Sequence, residues 1–137
     1  RGEVDLCFVG ADRVTRNGDT INKVGTYLKA LAAHDCNVPF YVALPFTSFD
    51  PETQTGAEVP IEERSADEVT HMQGITENGA RHIVRVVNPG SPAANPAFDM
   101  TPACLVTGYI TERGLMGVQD LADAPASVAT LERLPQQ

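Results

Sequence analysis

The chain has 137 residues, a length that suits one domain with its own hydrophobic core. It carries 18 acidic and 10 basic residues, and its net charge of −8 argues against a general nucleic-acid surface, which needs clustered Lys and Arg. No apolar run of the sequence reaches the length of a membrane span. The cysteines stand far apart without a CxxC pair, so we expect Cys7 and Cys104 to be reduced core residues.

The first 33 residues predict a strand, a loop and a helix. Val4 to Val9 is an apolar run that stops at Gly10, as a buried strand does. We expect a helix over residues 21–33, with one apolar stripe lying on the sheet. That stripe consists of Val24, Tyr27, Leu28, Leu31 and Ala32. In the intervening loop, Gly10 and Gly18 allow positive φ angles and a close approach to a ligand.

This loop is the predicted ligand site, because ligands of open α/β sheets bind beyond the carboxyl ends of the strands. Asp12 follows the strand with Arg13 beside it, and we place Asn22 and Lys23 in the first turn of the helix. A Lys there is unfavourable for the helix alone, since it adds positive charge to the positive end of the macrodipole. A bound anion such as phosphate would explain it.

The second apolar run, Phe40 to Leu44, predicts another strand. A strand, helix, strand unit with short connections implies parallel strands and a right-handed crossover. We therefore predict an α/β fold, a Rossmann-like parallel sheet with helices on both faces. Residues 45–64 lack periodicity, and a connection of this length is usually functional or ordered by a partner.

Further elements are predicted in the second half. Ser65 and Glu68 form a potential capping box for a short helix, and residues 81–87 resemble a strand. Thr101 as N-cap and Pro102 as first helical residue predict a helix that continues towards Gly114. Residues 118–137 are expected to be a peripheral tail, with a helical pattern in Val128, Leu131 and Leu134.

Several motifs in one order carry a family resemblance. They are GADR, NGD and INKVGTY near the start, then PFYVALPFTSFD, VPIEER and NPAFDMTPA. The combination resembles methylthioribose-1-phosphate isomerases, in a superfamily shared with ribose-1,5-bisphosphate isomerases and the regulatory subunits of translation initiation factor 2B. The resemblance extends to about Gly117. It implies that residues 1–137 are the carboxyl-terminal Rossmann-like catalytic domain of a longer protein with a separate amino-terminal domain.

The resemblance also implies an activity and its residues. It implies conversion of 5-methylthioribose 1-phosphate to 5-methylthioribulose 1-phosphate in methionine salvage, in the cytoplasm and in some members the nucleus. Asp12 would be the catalytic acid or base, and Gly10, Arg13, Asn22 and Lys23 would bind substrate. A catalytic cysteine is implied in an earlier segment outside this chain. The family implies a homodimer and no metal or organic cofactor, with no nucleic-acid or membrane partner.

Several alternatives stay open at this stage. The chain also fits a translation initiation factor 2B-like regulatory subunit, although that class typically has Glu where this chain has Asp12, or a ribose-1,5-bisphosphate isomerase. Hydrogen transfer as a proton or as a hydride is equally open. Glu62 and Glu63 suit ion pairing or dimer contacts better than acid/base chemistry. Asp99 would accept a hydrogen bond from a sugar hydroxyl or from Arg13, or order its own loop.

Overall fold

The computed structural model describes residues 1–124. The helical pattern predicted at Val128, Leu131 and Leu134 lies outside the described residues. The strands are β1 (Cys7–Gly10), β2 (Arg13–Thr15), β3 (Thr20–Lys23), β4 (Phe40–Ala43), β5 (Phe49–Asp50), β6 (His71–Ile75), β7 (Arg81–Arg85), β8 (Phe98–Thr101), β9 (Gly108–Thr111) and β10 (Gly114–Met116). The helices are α1 (Thr26–Asp35), α2 (Asp67–Thr70) and α3 (Val118–Asp123), and short 3₁₀ turns span Phe46–Ser48, Gly56–Glu58 and Ala103–Leu105.

Two four-stranded sheets and a hairpin make up the described fold. The first sheet has the order β1-β4-β9-β10, in which β1, β4 and β9 run parallel and β10 is antiparallel to β9. The second has the order β5-β2-β3-β8, with β3 antiparallel to both neighbours. Within residues 1–124, strands β6 and β7 pair only with each other. The α/β class is confirmed, but antiparallel pairs accompany the predicted parallel strands.

The core lies between α1, β4 and the segments that follow β4. Side chains of β2, α1, β4, the adjoining 3₁₀ turn, β5, β9 and α3 form it. Its buried members are Val14, Ala30, Ala33, Phe40, Val42, Leu44, Phe46, Phe49, Tyr109 and Leu121. The predicted strand over Phe40 to Leu44 is confirmed as β4, which pairs with β1 on one side and β9 on the other. Its side chains alternate between buried and half-buried positions.

The first strand is not buried as predicted. In the described sheet β1 is an edge strand, and Val4, Leu6 and Phe8 are 60%, 49% and 67% exposed. Cys7 is half-buried, and Cys104 is exposed on a 3₁₀ turn, so the expectation of a core position for Cys104 is wrong. Both are free thiols, as is the exposed Cys36.

The predicted helix over residues 21–33 begins five residues late. Residues 20–23 instead form β3, which pairs with β2 on one side and β8 on the other. Helix α1 starts only after Gly25, whose φ of 98° turns the chain out of the sheet. Its buried face is Thr26, Ala30 and Ala33, so the predicted apolar stripe is wrong in orientation. Side chains of that stripe, Val24, Tyr27, Leu28 and Leu31, are exposed.

The second half departs from prediction most after Thr101. Instead of a helix towards Gly114, a single 3₁₀ turn leads into β9 and β10, because Tyr109 is buried beside β4 in a parallel ladder.

The strand predicted over residues 81–87 is confirmed as β7, although its partner β6 was missed. The short helix after Ser65 is confirmed as α2, but its N-cap is Ala66, and Ser65 Oγ accepts a hydrogen bond from Asp67 N at 3.2 Å. None of the helices formed by residues 1–124 has the length and apolar character needed to cross a membrane.

Candidate functional site

The carboxyl ends of β1 and β4 create the candidate site. These strands are parallel with Gly10 opposite Ala43, so the segments that leave them emerge at the same edge of the sheet. Residues 12–13 and 47–51 line a shallow depression there, with a volume of about 340 Å³. This is the edge at which open α/β sheets bind ligands. The segment predicted as a loop over residues 10–21 does start at this edge, but most of it is the antiparallel β2–β3 hairpin, so its prediction as a loop is wrong.

Asp12 lies at this depression with its side chain exposed. Its backbone is fixed, because Asp12 N donates to the carbonyl of Ile21 at 2.9 Å and so ties the strand end to β3. A carboxylate on a fixed backbone beside an open depression has the access that proton transfer to a bound ligand requires.

Arg13 does not pair with the neighbouring carboxylate. Its Nη1 contacts Asp50 Oδ2 at 2.9 Å, at the far side of the same depression. Asp50 also accepts hydrogen bonds from the hydroxyl of Thr53 at 2.8 Å and from the backbone of Thr53 and Glu52. The hydrogen bond from the Thr53 hydroxyl is the main reason why the pKa of Asp50 lies below its ordinary value. Arg13 thus adds positive charge to the rim while leaving Asp12 unpaired with it.

Asn22 and Lys23 occupy a different place from the one predicted. Both are on β3, four and three residues before α1 begins, so Lys23 does not lie in a helical first turn. The argument from the macrodipole is therefore wrong for Lys23. Its Nζ lies 5.4 Å from the centroid of the Phe98 ring on the adjacent strand. Neither residue lines the depression that contains Asp12, although β3 is joined to it through Asp12 N.

The N-terminus of α1 is filled by a carboxylate of the chain itself. Asp99 Oδ2 accepts a hydrogen bond from Gly25 N at 2.7 Å, and both its oxygens lie 3.2 Å from Tyr27 N. Negative charge at this end of the helix is favourable. Of the alternatives for Asp99, the ordering role is the one observed. Asp99 already binds the N–H groups of Gly25 and Tyr27, so a phosphate at this helix start stays a prediction without support from these two donors.

Gly18 and Gly10 have different roles from each other. Gly18 has a φ of 90°, and a Cβ there would lie 2.6 Å from the Tyr109 hydroxyl, so the residue must be glycine. Gly10 ends β1 without a positive φ and has no close contact that would exclude a side chain. The predicted conformational reason for glycine is confirmed at Gly18 and wrong at Gly10.

Sequence analysis missed Asp19, which holds the β2–β3 turn against two other segments. The residue is 9% exposed, and its carboxylate accepts hydrogen bonds from Asn17 Nδ2, Gly56 N and Ala103 N at 2.9, 3.0 and 3.0 Å. Tyr109 adds a bond of 2.5 Å from its hydroxyl to the Gly18 carbonyl, and burial raises the pKa of that hydroxyl, which stays a neutral donor. Asn-Gly at residues 17–18 is a hairpin signal that would have revealed this turn.

The acidic pair of the IEER motif is held by structural contacts. Glu62 lies 3.9 Å from Arg64, which also binds Glu68 at 2.7 Å, and the carboxylate of Glu63 accepts a hydrogen bond from Asn95 N. These contacts favour the ion-pairing alternative over acid/base chemistry. Within residues 1–124, no three His, Cys, Asp or Glu side chains are grouped so as to hold a metal ion.

Comparison with known proteins places this geometry in context. The model of the "Initiation factor 2 subunit family" matches residues 2–118. A methylthioribose-1-phosphate isomerase of Methylorubrum extorquens is 62% identical over 115 residues, which are 83% of this chain and 32% of that protein. The chain thus spans about a third of the length of the curated relatives it matches.

Two solved structures of longer proteins share the fold. The 5-methylthioribose 1-phosphate isomerase of Pyrococcus horikoshii is 45% identical with a TM-score of 0.69, and the match covers 83% of this chain and 29% of that one. The delta subunit of translation initiation factor eIF-2B from A. fulgidus is 39% identical with a TM-score of 0.69, over 83% of this chain and 30% of that one. The fold is therefore common to an enzyme and a translation factor, and the sequence is more similar to the enzyme.

Proposed function

Because the chain belongs to the initiation factor 2 subunit family, we propose that the protein carrying it is an isomerase of 5-methylthioribose 1-phosphate. The observation that carries the proposal is the higher sequence identity to isomerases than to the translation factor, at equal similarity of fold. The reaction we propose is an aldose-ketose isomerisation in which the C1–O4 ring bond opens and the hydrogen on C2 moves to C1. The C2 hydroxyl loses its proton to become the carbonyl, and O4 gains one. The product of this reaction is 5-methylthioribulose 1-phosphate, and its place is methionine salvage.

Asp12 is the residue we propose for acid/base chemistry. It is exposed at the sheet edge, its backbone is held by β3, and Arg13 is engaged by Asp50. Asp12 forms no ion pair with any of residues 1–124, and such a carboxylate is available to take up or deliver a proton at a sugar carbon or oxygen. We propose that Asn22 and Lys23 contact the sugar phosphate from β3 and that Arg13 and Gly10 border it. The cysteine implied by the resemblance would come from a segment outside this chain.

The wider organisation is also a proposal. We infer that the parallel strands β1, β4 and β9 are the Rossmann-like part of a carboxyl-terminal domain, and that the active protein is a cytoplasmic homodimer. A native mass measurement on the full-length protein tests the dimer: twice the subunit mass supports it, and the mass of one subunit refutes it.

The activity is tested with the purified full-length protein and two sugar phosphates. We expect 5-methylthioribose 1-phosphate to give a ketose carbonyl signal in a ¹³C NMR time course, and ribose 1,5-bisphosphate to remain unchanged. Turnover of the bisphosphate alone would identify the related isomerase. Turnover of neither compound would refute an isomerase function and favour a regulatory one.

A further inference from the structure

A short chain of hydrogen bonds connects Asn22 to the start of α1. The hydroxyl oxygen of Thr26 lies 2.6 Å from the carbonyl oxygen of Lys23 and 3.1 Å from the side-chain amide of Asn22. Thr26 is only 3% exposed, so water does not compete freely for its hydroxyl. Which atom donates in each of these two hydrogen bonds decides whether the nitrogen or the oxygen of the Asn22 amide faces Thr26.

The number of available donors decides the direction of both hydrogen bonds. A threonine hydroxyl has one hydrogen, and a backbone carbonyl can only accept. The Thr26 hydroxyl must therefore donate to Lys23 O, and its oxygen is left to accept from Asn22. The amide nitrogen of Asn22 faces Thr26, and the carbonyl oxygen Oδ1 lies on the other arm of the group. No side chain within residues 1–124 donates a hydrogen bond to this Oδ1.

Asp99 keeps Thr26 in this position. Its carboxylate binds the backbone N–H groups of Gly25 and Tyr27, on either side of Thr26. The register of β3 and β8 sets Asp99 directly opposite Asn22. Because the flanking N–H groups are fixed to the strand that pairs with Asn22, the backbone of Thr26 cannot shift away from Asn22 without breaking this cap, and the bond to Lys23 O sets the direction of the hydroxyl.

We propose that Thr26 is a positioning residue that turns the Asn22 amide so that Oδ1 accepts a hydrogen bond from a hydroxyl of the substrate sugar. The inference rests on the proposed function, since it assumes that Asn22 contacts a sugar phosphate. A phosphate monoester offers acceptor oxygens, which do not pair with an acceptor such as Oδ1. Asn22 therefore selects for a hydroxylated sugar, and the phosphate is held by other groups.

The first test compares Thr26→Val with Thr26→Ser in the full-length protein. Valine keeps the shape of the side chain but frees the amide to rotate, so we expect kcat/KM for 5-methylthioribose 1-phosphate to fall roughly three- to tenfold, mainly through KM. Serine restores the hydroxyl and is expected to remain within about twofold of wild type. Wild-type kinetics for Thr26→Val, or equal losses in both variants, would overturn the proposal.

A second test applies even where Thr26→Val does not fold. The affinities of wild type and Asn22→Ala are measured by calorimetry for 5-methylthioribose 1-phosphate and for 5-methylthioribose, which lacks the phosphate. Loss of a hydroxyl contact weakens both ligands by the same factor. A loss confined to the phosphorylated ligand would overturn the proposal. Absence of wild-type turnover would instead refute the proposed function, so the two failures are distinguishable.

Discussion

Replacing Asp19 by alanine is expected to destabilise the protein without touching the candidate site. The carboxylate is buried and joins three segments, through bonds from Gly56 N and Ala103 N at 3.0 Å each and from the amide of Asn17. In the variant the two backbone N–H groups lose their acceptor inside the fold. The amide of Asn17 is at an exposed residue and can return to water.

The magnitude follows from those two backbone donors. A hydrogen bond to a charged group contributes about 1.5 to 3 kcal/mol, so losing both is expected to cost about 3 to 6 kcal/mol. Asp19→Asn retains one acceptor but sets an amide N–H against the other donor, so we expect an intermediate loss. The loss expected for Asp19→Ala is a large fraction of the total stability of a typical domain, about 5 to 15 kcal/mol.

Urea unfolding of the full-length protein, followed by circular dichroism, measures these losses. Asp35→Ala is the matched control, since Asp35 is an exposed aspartate at the end of α1. Its free energy of unfolding is expected to stay within about 0.5 kcal/mol of wild type. If Asp19→Ala were equally mild, water would be replacing the carboxylate, and the claim that Asp19 holds the turn would be refuted.

Two further predictions concern a glycine and a carboxylate. Gly18→Ala places a Cβ 2.6 Å from the Tyr109 hydroxyl at a φ of 90°, and is expected to lower the free energy of unfolding by about 3 kcal/mol or more. Gly79→Ala has a similar φ of 80° but open space around the Cβ, and is expected to lower it by about 1 kcal/mol. Equal falls in Tm for the two variants would contradict the close packing at Gly18. The hydrogen bond from the Thr53 hydroxyl lowers the pKa of Asp50 in the folded protein. The ionised Asp50 carboxylate therefore stabilises the fold fully above its unfolded pKa of about 4, and this stabilisation is lost as the pH falls through its lower pKa in the folded state. Asp50→Asn should therefore lose less stability than wild type between pH 7 and pH 3, and identical losses would contradict the assignment.

The elements that could be predicted are those with a local signal. Residues 40–44 form an apolar run with no charged residue, which is typical of a central strand, whereas the run from Val4 to Val9 contains Asp5 and forms an edge strand. The start of α1 could not be predicted in the same way. Residues 20–23 alternate weakly and become a strand only because β2 and β8 pair with them from distant parts of the chain. The same long-range pairing explains why the helix predicted after Thr101 is replaced by β9.

In the candidate site, too, the features with a local sequence signal could be predicted and those set by distant residues could not. Asp12 could be singled out because it lies two residues beyond a recognisable strand end, and the fold places it at the depression there. The cap on α1 was not found, because nothing near residue 25 indicates that the carboxylate comes from Asp99, 74 residues away. The face of α1 that packs on the sheet could not be predicted either. Its small residues Ala30 and Ala33 allow close packing on the sheet, while the larger apolar residues face outward.

The central claim is that the carboxylate of Asp12 takes part in the isomerisation. Its most direct test is the turnover number of full-length Asp12→Asn with saturating 5-methylthioribose 1-phosphate, beside Asp35→Asn as a remote control. We predict a fall of at least about 10²-fold for Asp12→Asn, the scale of lost acid/base catalysis, with unchanged thermal unfolding and a fully active control. Turnover of Asp12→Asn within about twofold of wild type would contradict the account.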